Sequence, residues 1–201
     1  MEFFDVLSGR RSVRRFKPDR VSEADIRRIV EAATLAPNGS NVQPWRFVAL
    51  TSPDKIQGLR KVVDDKMASL TGAKEAASER NFTNLFAWAP VVICVLQGPY
   101  HSHTDVMLKD KAPELVEDRL VVVNTALQSV SAAVALLTLA AHALGYGTCW
   151  MTGPLVARKE IEKLLEAPAD YNVVAILPLG VPEGPLSRAP RKPVDEVLEI
   201  R

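Results

Sequence analysis

Arginine side chains are concentrated near the start of this 201-residue chain. Arg10, Arg11, Arg14 and Arg15 lie within six residues of one another, and Ser12 stands between them. Guanidinium groups present paired N–H donors that fit a phosphate, and a serine hydroxyl adds one more donor. A solvated basic turn or a nucleic-acid-binding patch would show the same run of charges, so the run alone leaves these alternatives open.

A second basic cluster lies near the other end of the chain, at Arg188, Arg191 and Lys192. Prolines surround it, and prolines reduce the entropy lost when such a segment is fixed over a ligand. One hypothesis is therefore that the two distant clusters converge on a single phosphate group.

A third candidate is the segment Ala36-Pro37-Asn38-Gly39-Ser40-Asn41-Val42-Gln43-Pro44-Trp45. Asn41 and Gln43 lie here on a constrained loop before a predicted strand. A carboxamide both donates and accepts hydrogen bonds, which matches the alternating edge of a pyrimidine-like ring such as that of flavin. A turn capped by its own asparagines explains the same residues equally well.

Composition narrows the classes of partner. The chain has 25 Lys and Arg against 24 Asp and Glu, a net charge of +1, so no global field favours nucleic acid or an anionic membrane. Cys94 and Cys149 are too few for a disulfide scaffold and are expected to be buried thiols. The charged start of the chain and a longest apolar run of only Ala132 to Ala141 predict a soluble, cytoplasmic protein. We expect one domain over residues 1–201 and no metal site.

Local signals predict the elements that position these residues. A capping box at Ser22 starts a helix that ends before Pro37, and the segment from Pro113 to Leu144 has no internal glycine or proline and predicts one long apolar helix. A second copy of the chain would cover such a helix. Further elements are strands at Trp45–Leu50, Pro90–Leu96, Gly147–Trp150 and Val173–Leu179, helices from Pro53 towards Gly72 and over Val156–Leu165, and a last strand at Val194–Ile200. Buried strands separated by helices indicate an α+β or α/β sandwich.

Five short motifs follow one another along essentially the whole chain. They are Arg10-Arg11-Ser12-Val13-Arg14-Arg15-Phe16, Ala36-Pro37 with Asn41-Val42-Gln43-Pro44-Trp45, Leu139 to Trp150, Val174 to Pro182, and Arg191-Lys192-Pro193. In this order they resemble the motifs of the nitroreductase family of flavin enzymes.

The resemblance implies an FMN-binding α+β homodimer, with a mixed sheet flanked by helices and a long central helix at the subunit interface. It implies that Arg191, together with Arg188, contacts the phosphate of FMN. The first arginines of the N-terminal cluster would contact it as well, and Arg14 would approach the N1/O2 side of the ring. The loop at Pro37 would come from the partner subunit, and the turn at Thr152 would place a backbone N–H near N5. Ser129 stands where relatives often carry Asp or Gln. The implied cofactor contacts are Arg10, Arg11, Ser12, Arg14, Pro37, Asn38, Gly39, Asn41, Gln43, Asn81, Ser129, Thr152, Gly153, Arg188 and Arg191.

The activity that the resemblance implies is ping-pong hydride transfer. NADH or NADPH would reduce the flavin at N5, and a nitroaromatic or quinone-like acceptor would then take the hydride, with no catalytic side chain of the protein required. Three alternatives stay open: an FMN-binding storage or redox-sensing module, a family variant such as a dehalogenase, an enoyl reductase or a flavin-destroying enzyme, and an interaction protein without a cofactor.

Overall fold

The computed structural model describes residues 2–72 and 82–201, and Asn81 lies outside them. A four-stranded sheet in the order β1-β2-β4-β3 carries helices on both faces. The strands are β1 (Trp45–Leu50), β2 (Val91–Gln97), β3 (Gly147–Thr148) and β4 (Asn172–Gly180). The helices are α1 (Phe3–Gly9), α2 (Glu23–Thr34), α3 (Pro53–Thr71), α4 (His103–Leu108), α5 (Pro113–Val122), α6 (Thr125–Ala143) and α7 (Arg158–Leu164). The prediction of an α+β fold is confirmed.

The central strands β2 and β4 are apolar along almost their whole length because both of their faces are covered. All three strand pairs are antiparallel. The expected mixed sheet requires parallel as well as antiparallel pairing. Within the described residues the parallel pairing is a single bridge between Ser12 and Thr148. That bridge attaches the arginine-rich segment to the sheet.

Two hydrophobic cores lie on the two faces of the sheet. On one face α2 and α6 contribute Ile29 and Leu137, and on the other α3 and α7 contribute Leu59 and Ile161, all with no exposed surface. Burial of this apolar surface on both sides is the main force that holds the sheet in place.

The start of α2 follows the sequence signal. The Ser22 hydroxyl accepts a hydrogen bond from the Asp25 N–H at 3.0 Å, which satisfies one of the free donors of the first turn. The Tyr146 hydroxyl donates to the Asp25 carboxylate at 2.7 Å, so the cap also joins α2 to the segment that follows α6.

The prediction of one helix from Pro113 to Leu144 is wrong, because the chain breaks at Asn124. This residue adopts a left-handed conformation, with φ 36° and ψ 67°, and its side chain accepts a hydrogen bond from the Leu127 N–H at 3.0 Å. Asparagine tolerates that conformation better than other non-glycine residues do, so a break needs neither glycine nor proline. The long central helix is therefore α6 alone.

Replacing Asn124 with alanine is expected to lower the free energy of unfolding by about 1–2 kcal/mol, because the variant loses the cap and gains left-handed strain. Asn124→Gly loses the cap but tolerates the backbone, so its cost is expected to be a few tenths of a kcal/mol. Urea denaturation of the two variants measures the difference. Equal decreases in the free energy of unfolding of the two variants would show that left-handed strain does not contribute to the cost of alanine.

Three other predictions need correction. The last strand, Val194–Ile200, is instead a short 3₁₀ turn at Val194–Glu196 followed by exposed coil, since the segment has no strand beside it in the described chain. The strand expected at Gly147–Trp150 contains only Gly147–Thr148. The helix expected at Val156–Leu165 begins as a 3₁₀ turn, Gly153–Ala157, and is α-helical only over α7, since 3₁₀ turns are frequent at the ends of α-helices.

The stretch Pro113–Ala143 has the length and apolar composition of a membrane-crossing helix. The core helix of a globular protein passes the same test, and here the backbone breaks at Asn124 while α6 packs against α2 and the sheet. The stretch is thus weak evidence for a membrane span.

Candidate functional site

A cationic cavity of about 440 Å³ lies where the two ends of the chain meet. Six of its lining residues are arginines, four from the start of the chain and two from its far end. We call this cavity the arginine pocket; its lining residues are Leu7, Ser8, Arg10, Arg11, Ser12, Arg14, Arg15, Glu183, Pro185, Leu186, Ser187, Arg188, Ala189 and Arg191.

Backbone hydrogen bonds bring the two ends together. The Val13 N–H donates to the carbonyl of Thr148 at 2.9 Å, and the Glu183 N–H donates to the carbonyl of Arg15 at 3.0 Å. Val13 and Phe16 are buried and anchor the segment, while Arg14 and Arg15 between them stay exposed. The arginines thus stand on backbone held from both sides.

The guanidinium groups of the pocket have few partners of their own. Arg11 donates to the carbonyls of Ser8 at 2.6 Å and Arg10 at 2.8 Å. Among residues 2–72 and 82–201, none of the six arginines forms an ion pair, and Glu183 is the one carboxylate that lines the pocket. Such a concentration of unpaired cations fits a multiply charged anion, and the fork of donors fits a phosphate.

A histidine lies behind the pocket. The Cβ of any larger residue at Gly9 would stand 2.7 Å from Nε2 of His142, so α1 packs directly on this ring. Burial lowers the pKa of His142 below its ordinary value, and the cations of Arg10 and Arg11 lower it further. The neutral imidazole is therefore the form that the fold favours.

The lowered pKa of His142 predicts an acid sensitivity. In the unfolded chain the ring takes up a proton near pH 6.5, whereas the folded protein resists that uptake until lower pH. The stability that the neutral ring provides is therefore present above pH 6.5 and is lost as the pH falls towards the folded-state pKa. Between about pH 7 and about pH 5, urea unfolding is expected to show a smaller decrease in the free energy of unfolding for His142→Gln than for the wild type.

His103→Gln, an exposed histidine of α4, controls for the loss of a histidine elsewhere. Identical losses in the wild type and in His142→Gln would contradict the expectation.

Both cysteines are buried and free. Burial raises the pKa of the Cys94 thiol to about 12 and also raises that of Cys149, which the neighbouring Arg14 and Ser12 only partly offset. High thiol pKa values leave little thiolate at neutral pH, so both side chains act as packed apolar groups, in agreement with the sequence-based expectation.

The loop before β1 holds an unusual backbone. Ser40, Asn41 and Gln43 all have positive φ, at 51°, 53° and 52°. Non-glycine residues seldom occupy this region, and such strain concentrates at functional sites. The Asn38 side chain holds the loop closed, because it donates to the carbonyl of Ala36 at 3.2 Å and accepts from the Gln43 N–H at 2.9 Å.

Each of the two interpretations of this loop, a self-capped turn or a ligand-binding loop, therefore fits different residues in it. Asn38 caps its own turn, as the simpler reading has it, whereas Asn41 and Gln43 hold their side chains in solvent. The Gly39 N–H lies 3.5 Å from the buried Ser129 hydroxyl, and a Cβ at Gly39 would stand 2.4 Å from the Tyr100 hydroxyl. The loop thus packs tightly against α6.

A smaller cavity of about 260 Å³ lies beside this loop, between Tyr100 and the start of α6. Its wall includes Asp105, a nearly buried carboxylate that pairs with Arg119 at 2.8 Å. The Ser102 hydroxyl and the Arg119 guanidinium lower the pKa of Asp105, so this ion pair holds α4 to α5 over a wide pH range.

Of the predicted cofactor contacts, one group lines the arginine pocket: Arg10, Arg11, Ser12, Arg14, Arg188 and Arg191. The loop residues Pro37 to Gln43 and Ser129 do not line it within one chain. Thr152 and Gly153 lie in the segment after Cys149, which itself lies beside Ser12 and Arg14. Arg15 lines the pocket but was absent from the predicted contacts, although it belongs to the same run of arginines and shows the same signal.

This chain is similar to a known protein family and to proteins of known structure. Residues 7–181 match the profile of the Nitroreductase family. The structure is similar to that of a BluB-like flavoprotein from Clostridium difficile 630, with a TM-score of 0.91, 34% identity, and coverage of 100% of this chain and 99% of that one.

Two further similarities concern named activities. The chain is 34% identical over 184 residues to the 5,6-dimethylbenzimidazole synthase of Rhodobacter capsulatus, covering 89% of this chain and 83% of the relative. It is also similar to an iodotyrosine deiodinase solved with FMN and 3-iodo-L-tyrosine, with a TM-score of 0.73, 26% identity, and coverage of 100% and 98%. FMN is thus bound by a protein of this fold.

Proposed function

The chain belongs to the nitroreductase family, whose members are generally flavin-dependent oxidoreductases, and on that premise we propose that it is an FMN-dependent oxidoreductase that uses NAD(P)H. The observation that carries the proposal is the arginine pocket, in which six guanidinium groups from distant parts of the chain face one cavity. The proposed acceptors are nitroaromatic or quinone-like molecules.

In this proposal the pocket binds the phosphate of FMN. Arg10, Arg11 and Arg191 would supply paired donors and Ser12 a hydroxyl. FMN itself would accept a hydride from the nicotinamide and pass it on. Arg14, exposed on the same segment, would stand towards the ring and stabilise negative charge there.

The proposal includes a homodimer. Within one chain the loop at Asn41 does not line the arginine pocket, and in the proposed dimer a second copy would bring its own loop to the ring. Apolar residues exposed on the surface support such an interface, among them Phe3 at 62% and Phe4 at 78% exposure on α1, and Leu127 at 38% on α6.

We further propose that residues 1–201 act as one FMN-binding domain in the cytoplasm. The free and buried thiols of Cys94 and Cys149 suit a reducing compartment.

An absorption spectrum of the purified protein tests the proposal. We expect the visible flavin band, either as purified or after addition of FMN, and its bleaching when NADH or NADPH is added without oxygen. Addition of a nitroaromatic or a quinone should restore the band within each turnover. A colourless protein that gains no band with FMN would refute the proposal.

The same experiment distinguishes an enzyme from an FMN storage or sensing module. A storage or sensing protein would hold FMN but bleach slowly with NAD(P)H, and the acceptor would not accelerate recovery of the band. Size-exclusion chromatography with light scattering, run on the same sample, measures whether the chain is a dimer.

A second candidate function is the formation of a benzimidazole from flavin. It is favoured by the 34% identity to a 5,6-dimethylbenzimidazole synthase over most of both chains. That product carries the same dimethylated benzene ring as flavin. Incubation of the reduced, FMN-loaded protein with oxygen, followed by mass spectrometry, tests it: loss of FMN together with the benzimidazole mass would support it, and intact FMN would exclude it.

A further inference from the structure

The loop at residues 38–43, between α2 and β1, has a backbone that needs support. Three of its residues, none of them glycine, have positive φ angles of 51°, 53° and 52°, a conformation that persists only where the surroundings impose it. Two hydrogen bonds close the loop: the Val42 N–H donates to the carbonyl of Gly39 at 3.1 Å, and the Gln43 N–H donates to Oδ1 of Asn38 at 2.9 Å. Both bonds lie within the loop, so they shape the turn without fixing its place against the rest of the chain.

Gly39 lies between two other parts of the chain. On one side is Tyr100: a Cβ added at Gly39 would stand 2.9 Å from Cζ and 3.3 Å from Cε1 of its ring. The φ angle of Gly39 is not positive, so glycine is needed there for space and not for backbone conformation. On the other side the Gly39 N–H lies 3.5 Å from the hydroxyl of Ser129, which is buried in α6.

The sheet brings Tyr100 to this loop. Trp45 of β1 faces Gln97 of β2 in the antiparallel register, so the loop that enters β1 and the segment that leaves β2 lie at the same end of the sheet. Tyr100 follows soon after β2 and is half-buried. It also lines the cavity of about 260 Å³, together with the ion pair of Asp105 and Arg119. The ring therefore lies between the loop and this cavity.

We propose that Tyr100 is a positioning residue, which holds the loop so that Asn41 and Gln43 present their carboxamides to the flavin bound by the partner subunit. This inference rests on the proposed function, because the flavin and the second copy both belong to it. Tyr100 acts through its contact with Gly39 and does not itself touch the cofactor.

The chemistry of the two carboxamides explains why the loop needs such a support. Both side chains are exposed. An amide has to direct its donor and its acceptor at matching atoms of the ring edge, and a hydrogen bond weakens steeply when its angle departs from the preferred range. Side chains keep such a geometry only where neighbours lock the backbone that carries them. Tyr100 is such a neighbour, from outside the loop.

Hydrogen exchange of the apoprotein tests the contact without any cofactor. Tyr100→Ala is expected to speed exchange at the Val42 and Gln43 amides about tenfold, because the loop opens more often once the ring is gone. Tyr100→Phe keeps the ring and should stay within about twofold of the wild type.

Tyr171→Ala is the matched control. The ring of Tyr171 also packs on a glycine, since a Cβ added at Gly98 would stand 2.7 Å from its Cζ, but Gly98 lies outside the loop. The Val42 and Gln43 amides should keep their wild-type exchange rates in this variant. Urea denaturation shows that each variant is folded and how much free energy of unfolding each substitution costs.

The FMN-loaded protein tests the effect on the flavin ring. Tyr100→Ala is expected to shift the visible flavin band and to raise the Kd for FMN about 3- to 10-fold, the factor for loss of one uncharged hydrogen bond. Tyr100→Phe should restore both values. A residue that only stabilised the fold would leave the band of the folded, FMN-bound protein unchanged.

Gly39→Ala approaches the same contact from the other side. Its Cβ would collide with the ring of Tyr100, so this variant should raise the exchange rates and the Kd as Tyr100→Ala does. In the Tyr100→Ala background the space is free, and adding Gly39→Ala should change the Kd by less than about twofold, because the two residues share one contact.

Three results would overturn the inference alone: unchanged exchange at the Val42 and Gln43 amides in Tyr100→Ala, an equal effect of Tyr171→Ala, or a shifted flavin band with unchanged exchange. The last result would mean that Tyr100 contacts the ring directly. A wild-type protein that gains no flavin band with FMN would overturn the proposed function and this inference together, and that result is seen before any variant is made.

Discussion

Glutamine in place of Arg10 is expected to weaken FMN binding by about 10- to 100-fold, because each lost hydrogen bond between charged groups costs about 1.5–3 kcal/mol. The same change at Arg191, from the opposite end of the chain, should cost a similar factor. Arg10 is half-buried near His142, as is Arg11, and both line the arginine pocket. Quenching of FMN fluorescence on titration with apoprotein measures the dissociation constants.

The double variant Arg10→Gln with Arg191→Gln extends the test. If both side chains contact one phosphate, their losses are coupled and the sum of the single effects will differ from the double effect. Arg27→Gln is the control, because Arg27 is exposed on α2, pairs with Glu23 and does not line the arginine pocket. A Kd unchanged in the Arg10 and Arg191 variants would place the cofactor phosphate elsewhere.

Alanine in place of Gly147 is expected to destabilise the fold by about 1–3 kcal/mol, through overpacking. An added Cβ would stand 2.4 Å from Cγ2 and 2.7 Å from Cβ of Val13, a contact that the buried Val13 cannot relieve by rotation alone. The bond between the Val13 N–H and Thr148 holds the arginine segment to the sheet. FMN affinity should therefore fall together with the free energy of unfolding.

Gly58→Ala is the matched control for Gly147→Ala. Gly58 lies inside α3, and an added Cβ there would contact nothing within 4 Å. Alanine is the better helix former by about 0.5–1 kcal/mol, so this variant should gain stability and keep its FMN affinity. If both substitutions changed the free energy of unfolding in the same direction, the steric argument at Gly147 would be wrong.

Features that depend on neighbouring residues in the chain were predictable from sequence. The cap at Ser22, the first-turn proline of α3 and the apolar runs of β2 and β4 each act over a few residues, and each of these elements is found close to its predicted bounds. The break at Asn124 was not predictable in this way, because asparagine also occurs inside helices and the same residue type can either continue a helix or cap a new one, as it does here.

The same distinction between local and long-range features applies to the candidate site. The residue types of the two arginine clusters indicate phosphate, but their convergence depends on the antiparallel return of β4 and on the bridge between Ser12 and Thr148. The exposed coil at Val194–Ile200 shows the converse: a strand needs a neighbour, and no signal within seven residues specifies whether one is present. In the proposed dimer, the positions of Asn41 and Gln43 relative to the pocket would likewise depend on a second copy.

The distance along the chain between Arg10 and Arg191 has a consequence for protein synthesis. The ribosome releases the first arginines long before the last ones have been translated, so a nascent chain exposes half of an anion site with nothing to complete it. If both clusters bind the cofactor phosphate as proposed, cofactor capture would follow translation of the distal segment.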